Sequence, residues 1–548
     1  MADLDLAHHR NSVVAAPSPR TGCVRRFAVV VVVATTIVRL VIAALTPLFP
    51  DETYYWEWSR HLAAGYYDHP PVIAWLIGFG TSIAGHTALG VRLGSVLAGA
   101  LGTLFVCACA RRIAGDRAAL LTATIFAVMP LSAAGLVLAT PDAPVLAASA
   151  ATVYAILRVL EVPARSRASL EWWCVAGATL GLAFCSKYTA VLLPLGVFVG
   201  LLLRRELRAR LREPGPYVAT LVALLVFLPV ILWNARHDWI SFAFQLQHGF
   251  GGAAGSVVSR ELELVGGQIG LVSPILFVMM TIAIARSLRT SPPSSPTRLQ
   301  RLPVHPLLAS ISVVVFAFFM YSATRRRVEA NWPALAYVPA VLLLVAQSRS
   351  SDWDKWLRAG IGLAAILTMV AYLNAFTPIL PVPVGRDPAA RAAGWTDLAI
   401  AVDRARPVCQ VSTHPAWPGT RPCPPPASRT AGTVFIGADR YQDASELAFH
   451  LPGHPATLSL NLSNRPNQYD LWPSFPDRAQ PGDTLLLVVD DVSGIHPVAE
   501  TLAAHFASLR EGERVPISRD GELVKSLRIW FLDGWRGTWP QRALRSRT

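Results

Sequence analysis

Apolar runs long enough to cross a lipid bilayer recur from Phe27 to Phe376, and they leave this chain few other ways to fold. A spanning helix needs about 20 predominantly apolar residues. We read eleven such runs, over residues 27–46, 92–110, 118–138, 143–157, 172–186, 189–203, 217–234, 264–285, 307–323, 332–346 and 357–376. Several are short, and the pairs flanking Pro141 and Lys187 admit another division. Composition agrees: of 548 residues, 53% are hydrophobic and 15% charged, against roughly 25% charged in a soluble domain. Such a chain cannot cover a water-facing surface and needs lipid. Arg20, Arg25 and Arg26 precede the first run, and no small-residue cleavage site follows, so it reads as a retained anchor after a leader over 1–26.

Charge placement sets the orientation. Cytoplasmic loops carry the excess of Lys and Arg. With the N-terminus cytoplasmic, segments on that side hold 22 Lys and Arg, against 7 in the opposite turns. The net charge of +14 is then mostly topological, which argues against a nucleic-acid partner. Eleven crossings put the tail outside, in the periplasm of a Gram-negative cell. The expected architecture is an α-helical polytopic membrane domain over 27–376, with a long first external loop over 47–90. A soluble α/β domain over 377–548 follows. In that tail, residues 433–438, 484–490 and 527–532 read as strands, and 444–450 and 498–508 as helices. Residues 291–296 read as a disordered cytoplasmic loop. The seven Cys form no C-x-x-C pair. Cys409 and Cys423 both fall in the tail, where an oxidising compartment permits a disulfide.

Nearly every charged or imidazole group that interrupts an apolar run sits at the external ends of the runs. Asp51 and Glu52 begin the first external loop. A carboxylate there can take a proton from an acceptor hydroxyl or bind a divalent metal; it also suits an ordinary helix start. Tyr54, Trp58 and Leu62 share a helical face, as in a helix lying flat at the interface. Asp142, in Thr140-Pro141-Asp142, reads as a cap or a second acid. Lys187 occupies a tight turn between two runs, where it either snorkels or meets an anion. His248 follows an aromatic loop. Arg325, Arg326 and Arg327, followed by Glu329 and Asn331, defy the charge bias on the outer face. Arginine presents a donor fork that suits phosphate, while a solvated tip is the plainer account. Arg39 is costly inside the first run unless it faces a polar cavity. No single member carries a function; their convergence on one face does.

These segments resemble the bacterial members of the dolichyl-phosphate-mannose protein mannosyltransferase superfamily, the GT-C-fold, polyprenyl-phosphate-dependent glycosyltransferases that include the lipid A aminoarabinose transferases. The matching motifs are Asp51-Glu52 with Tyr54-Tyr55-Trp56, Gly65-Tyr66-Tyr67-Asp68-His69-Pro70-Pro71, Thr140-Pro141-Asp142 and Ser186-Lys187-Tyr188-Thr189. Gln247-His248-Gly249, Glu329-Ala330-Asn331-Trp332-Pro333, the run from Ala444 to Ala448 and Asn467-Gln468-Tyr469-Asp470 continue the series. The resemblance implies Asp51 as catalytic base, with Glu52 beside it and Asp142 as a further acid. It implies Tyr55, Tyr67, His69, Lys187, the three arginines, Glu329 and Asn331 as substrate-binding residues. A divalent metal at His248 is also implied. Aminoarabinose transferases carry Lys-Pro near the position of His69-Pro70, a departure. The tail is not the trefoil module of the eukaryotic mannosyltransferases.

The function expected is inverting transfer of a sugar from a polyprenyl phosphate, most simply undecaprenyl phosphate, to a lipid, glycan or protein acceptor on the external leaflet of a bacterial inner membrane. The alternative is a polyprenyl-lipid transporter or flippase. A flippase usually keeps its polar groups near the bilayer midplane, often in repeated halves; here they gather at one face and no repeat is visible. A structural subunit with a sensing tail leaves the external acids without a role.

Overall fold

The computed structural model describes residues 19–251, 256–289, 303–348, 351–406, 432–462, 464–519 and 521–540. Cys409, Cys423 and the loop 291–296 lie outside them. All eleven apolar runs fall on helices, but not all as single straight spans. Among the described residues seven helices are long and apolar enough to cross a membrane: Val24–Leu45, Ala88–Ala114, Asp142–Glu161, Arg167–Ser186, Pro214–Arg236, Val304–Arg325 and Ser351–Phe376. The chain is a multi-pass membrane protein.

The remaining runs are short or broken. The run expected over 264–285 is two helices, Val257–Val272 and Pro274–Arg289, bent by 105° at Ser273. Ser273 has a positive φ of 82° and precedes proline, so the helix cannot continue through it. The run over 118–138 divides into Asp116–Val128 and Pro130–Gly135. Pro130 has no N–H to give to the Phe126 carbonyl. Arg39 Nη2 at 2.6 Å and Ser132 Oγ at 2.7 Å serve that carbonyl instead. Arg39 thus answers a backbone acceptor that the break exposes, as lipid requires. Small residues let helices approach closely elsewhere. A Cβ on Gly177 would stand 2.4 Å from the Ala219 carbonyl of helix Pro214–Arg236.

After Phe376 the chain builds a five-stranded sheet in the order β2-β1-β3-β5-β4. The strands are β1 (Val434–Ala438), β2 (Leu458–Ser459), β3 (Thr484–Asp490), β4 (Phe506–Arg519) and β5 (Glu522–Trp535). β1 pairs in parallel with β2 and β3; β5 pairs antiparallel with β3 and β4. Alternate residues of β3 fill two cores. Leu486 and Val488 pack with Trp395, Leu398 and Leu447. Leu485, Leu487 and Val489 pack with Phe475, Val498 and Phe506 on the other face. The helix expected over 498–508 ends at Ala503, and Phe506 already opens β4.

The sheet domain rests on the loop that joins the first two long helices. Helix Tyr441–His450, here the docking helix, lies against the short helix Pro50–Arg60. Ala444 and Ala448 join Tyr54, Trp56 and Trp58 in one buried cluster. The aromatic face expected to lie on lipid therefore meets protein, and Leu62 falls beyond the helix end and is exposed. Thr53 Oγ1 and Ser445 Oγ stand 3.1 Å apart, and Gln468 N–H donates to Tyr54 Oη at 2.7 Å.

Candidate active site

Helix Pro50–Arg60 starts with proline at its first position, where no intrahelical donor is lost, and with Asp51 and Glu52 in the first turn. Both acids complement the helix dipole, but their surroundings differ. Glu52 is fully enclosed. Arg92 Nε and Nη2 donate to it at 2.7 and 2.5 Å, and the backbone N–H groups of Phe49 and Ala139 add 3.0 and 2.8 Å. Arg92 itself also donates to the carbonyls of Ala43, Thr46 and Pro47. Glu52 thus ties the start of this helix to helix Ala88–Ala114 and to the backbone at Ala139, and its carboxylate is fully engaged where that of its neighbour Asp51 is not.

Asp51 has no hydrogen bond or ion pair among the described residues. Burial pushes its carboxyl above the usual range, and the nearby charges of Asp68 and Glu52 push the same way. Arg391 and Arg465 oppose them. Asp68 is buried as well. Tyr54 Oη donates to its Oδ2 at 2.7 Å and Arg465 Nη1 to its Oδ1 at 2.8 Å. Gln245 Nε2 holds its main-chain carbonyl at 2.6 Å. Burial raises Asp68, while Arg465 and the Tyr54 hydroxyl lower it. Arg465 in turn lies over the rings of Phe244 and Tyr441, 4.9 and 5.2 Å from their centroids.

A second polar group lies on the membrane side. Lys187 Nζ donates to Asp142 Oδ1 at 2.5 Å and Asn331 Nδ2 to Asp142 Oδ2 at 2.7 Å. Three residues drawn from distant helix ends thus form one ion-paired cluster, as their common face in the sequence had suggested. They edge a cavity of about 170 Å³ whose other walls are apolar, among them Phe126, Leu131, Leu138, Leu271 and Trp332. Tyr55 links the two groups: the charges of Asp51, Asp68 and Asp142 all act on its hydroxyl.

The other expected residues divide. Tyr67 packs on Phe244, with ring centroids 5.2 Å apart, and its N–H donates to Gln468 Oε1 at 2.8 Å. The His69 ring meets Tyr55 edge-on at 5.9 Å. Of the three arginines, Arg327 pairs with Glu263 on the surface at 2.5 Å and Arg325 lies over Tyr321. Arg326 alone turns inward. It feels the charges of both Glu329 and Arg465, and its Nε–H is buried with no acceptor among the described residues. Glu329 is otherwise exposed. The side chain of His248 lies outside the described residues. Among those described, no group of three or more His, Cys, Asp or Glu side chains is placed to hold a metal ion, so no step below runs through one. Sequence reasoning missed Asp68 as a site residue, and with it Arg465, Arg391 and Tyr441 of the sheet domain. The nearest signal was the Asn467-Gln468 motif, two residues past Arg465.

The family model for dolichyl-phosphate-mannose-protein mannosyltransferases matches residues 68–233. The lipid A galacturonosyltransferase RgtD of Rhizobium johnstonii is 30% identical over 370 residues, covering 66% of this chain and 73% of that protein. The undecaprenyl phosphate-α-4-amino-4-deoxy-L-arabinose arabinosyl transferase of Pseudomonas paraeruginosa is 32% identical over 217 residues, 36% of this chain and 39% of that one. The crystal structure of ArnT from Cupriavidus metallidurans in the apo state superposes with a TM-score of 0.61 at 17% identity, covering 96% of this chain and all of that one. That likeness shows the fold. The chain belongs to the aminoarabinose-transferase-like family of GT-C membrane glycosyltransferases, which take a sugar from a polyprenyl phosphate.

Proposed function

We propose that the chain transfers a glycosyl group from undecaprenyl phosphate to lipid A at the outer leaflet of a bacterial inner membrane, with Asp51 as general base. The N-terminus is then cytoplasmic and the sheet domain periplasmic, as the distribution of Lys and Arg favours. One observation carries the reading: Asp51 is a half-buried carboxylate with no hydrogen-bond or ion-pair partner among the described residues, at the start of the loop whose Asp68 is held by Arg465. Its raised pKa brings a carboxylate closer to the basicity a general base needs near neutrality. The acceptor oxygen attacks the anomeric carbon and gives its proton to Asp51. The bond from that carbon to the phosphate oxygen breaks on the opposite face, and undecaprenyl phosphate leaves with the electron pair. Positive groups aimed at the departing phosphate stabilise the charge that grows on it. Arg326 fits that part, with its buried and unpaired Nε–H, and so does Lys187 at the rim of an apolar cavity suited to a prenyl chain.

The relatives supply the substrates to try first. RgtD is named for galacturonosyl transfer to lipid A, so undecaprenyl-phosphate galacturonic acid is the leading donor, followed by the 4-amino-4-deoxy-arabinose donor. The test is release of undecaprenyl phosphate, with mass spectrometry of the lipid A product. Asp51→Asn cannot accept the proton and should lose about 10²–10⁴ in turnover. A variant with near wild-type turnover moves the base elsewhere, with Asp142 next. Arg326→Gln should weaken binding of bare undecaprenyl phosphate in nanodiscs by about one to two decades, whereas Arg325→Gln and Arg327→Gln bind as wild type.

A further inference from the structure

The chain leaves its last span without losing its apolar character. Helix Ser351–Phe376 runs into a strap, residues 377–384, that reads Thr-Pro-Ile-Leu-Pro-Val-Pro-Val. Every residue from Phe376 to Pro383 is exposed. Ile379, Leu380 and Val382 are 49%, 41% and 39% open. Apolar side chains exposed singly are normal, but an unbroken apolar run marks a surface that meets something.

Two observations say what it meets. The first is continuity: the span exposes Ile366, Met369, Leu373 and Phe376, as a helix facing lipid does, and the strap follows directly from Phe376. The second is the backbone, which asks little of water. Pro378, Pro381 and Pro383 have no N–H to satisfy. Leu380 N–H donates to Asn374 Oδ1 at 3.1 Å, and Val382 N–H to the Leu380 carbonyl at 2.7 Å. Such economy of donors suits the edge of a bilayer, where an unsatisfied N–H is costly. The strap is also fastened at both ends. Arg519, the last residue of β4, donates to the Asn374 carbonyl at 2.5 Å and pairs with Asp387. Asp387 Oδ1 in turn accepts the Ala389 N–H at 3.0 Å and starts the turn Pro388–Ala392. Helix end, strap and the β4–β5 hairpin therefore form one joint.

We propose that residues 377–384 are an interfacial lipid anchor. Ile379, Leu380 and Val382 enter the boundary between head groups and acyl chains in the leaflet on the sheet-domain side, the depth that interfacial segments take. Their partner is membrane phospholipid. The sheet domain then stands on two supports, protein at the cluster around Tyr54 and Ala448 and lipid at the strap, with Arg519 passing the second to the sheet. The inference goes beyond the glycosyl-transfer reading and does not depend on it.

The test is photo-cross-linking of the full chain in nanodiscs of phosphatidylethanolamine and phosphatidylglycerol. A benzophenone side chain is placed in turn at Ile379, Leu380 and Val382. The control position is Gln480, exposed just before β3, at the end of that strand away from the hairpin tip. Mass spectrometry after irradiation should find phospholipid adducts at the strap positions and none at Gln480. Ile379→Asp with Val382→Asp should then cut the adduct at Leu380 by about tenfold or more, since burying one aliphatic side chain is worth about a decade or more in partition. Both positions are exposed, so this variant should melt like wild type. Strap positions that label no more than Gln480 overturn the inference. So does a cross-link to a second copy of the chain in place of lipid. An adduct at Leu380 that survives the double aspartate variant overturns it as well, because the apolar side chains are then not what holds the strap in the membrane.

Discussion

Asp51 and Glu52 are neighbours in sequence and opposites in circumstance. Glu52 accepts four hydrogen bonds, two from Arg92 and two from the backbone N–H groups of Phe49 and Ala139. Asp51 accepts none among the described residues. Removing one partner of a fully buried pair leaves an uncompensated charge and costs roughly 3–5 kcal/mol. Arg92→Leu should therefore lower the thermal midpoint in detergent by several degrees or abolish folded yield, and its lost turnover should follow lost protein. Asp51→Asn should melt like wild type and lose only turnover. Equal melting of both variants would mean that the Arg92 pair does not anchor the loop. Nothing in the dipeptide distinguishes the two acids. The distinction comes from Arg92, 40 residues away along the chain, and from which way each carboxylate leaves the first helical turn.

At the scale of elements, the docking helix carries a second buried acid. Glu446 is fully enclosed, with His450 Nε2 at 3.2 Å, and burial pushes its pKa from 4.5 up to about 7. A folded-state pKa above the unfolded one means that the folded state holds the proton more tightly. The stabilisation is complete below about pH 4.5 and fades as pH rises through 7. A shift of that size corresponds to at most about 3 kcal/mol. The protein should melt at higher temperature near pH 5 than near pH 7.5, and Glu446→Gln should flatten that slope. An unchanged slope in the variant would assign it to other groups. The elements also show what a sequence can and cannot disclose. All eleven apolar runs became helices, because lipid leaves an apolar segment no other way to satisfy its backbone. β4 stayed hidden. It is an edge strand whose outward residues are charged, among them Arg510, Glu511 and Glu513, as edges are when they must not recruit another chain. Asp68 and Arg465 escaped for a different reason: a pair separated by 397 residues leaves no local pattern.

Across the whole molecule, two units are each folded around their own cores. Membrane helices bury one large cluster and several small ones, the sheet buries two, and a further cluster around Tyr54, Trp56 and Ala448 belongs to both. Ala448→Trp overfills that shared cluster, and overpacking of this kind costs about 1–3 kcal/mol. The loss should fall on the seating of one unit on the other. Turnover is expected to drop at least tenfold as Arg465 parts from Asp68, a fall equal to about 1.4 kcal/mol in the barrier. The helical circular-dichroism signal should melt near its usual temperature. Wild-type turnover in a folded Ala448→Trp protein would show that the seating is not required.

The hydrogen bond from Gln468 to Tyr54 closes a stretch of 414 residues. A ribosome adding about 5–20 residues per second spends roughly 20–80 s on that stretch. During that interval the early helices already sit in the bilayer, and Asp68 still lacks Arg465. A nascent chain is thus inserted long before its two units meet. Whatever delays completion of the last third of the chain should leave a population of inserted molecules in which the loop and the sheet domain have not yet joined.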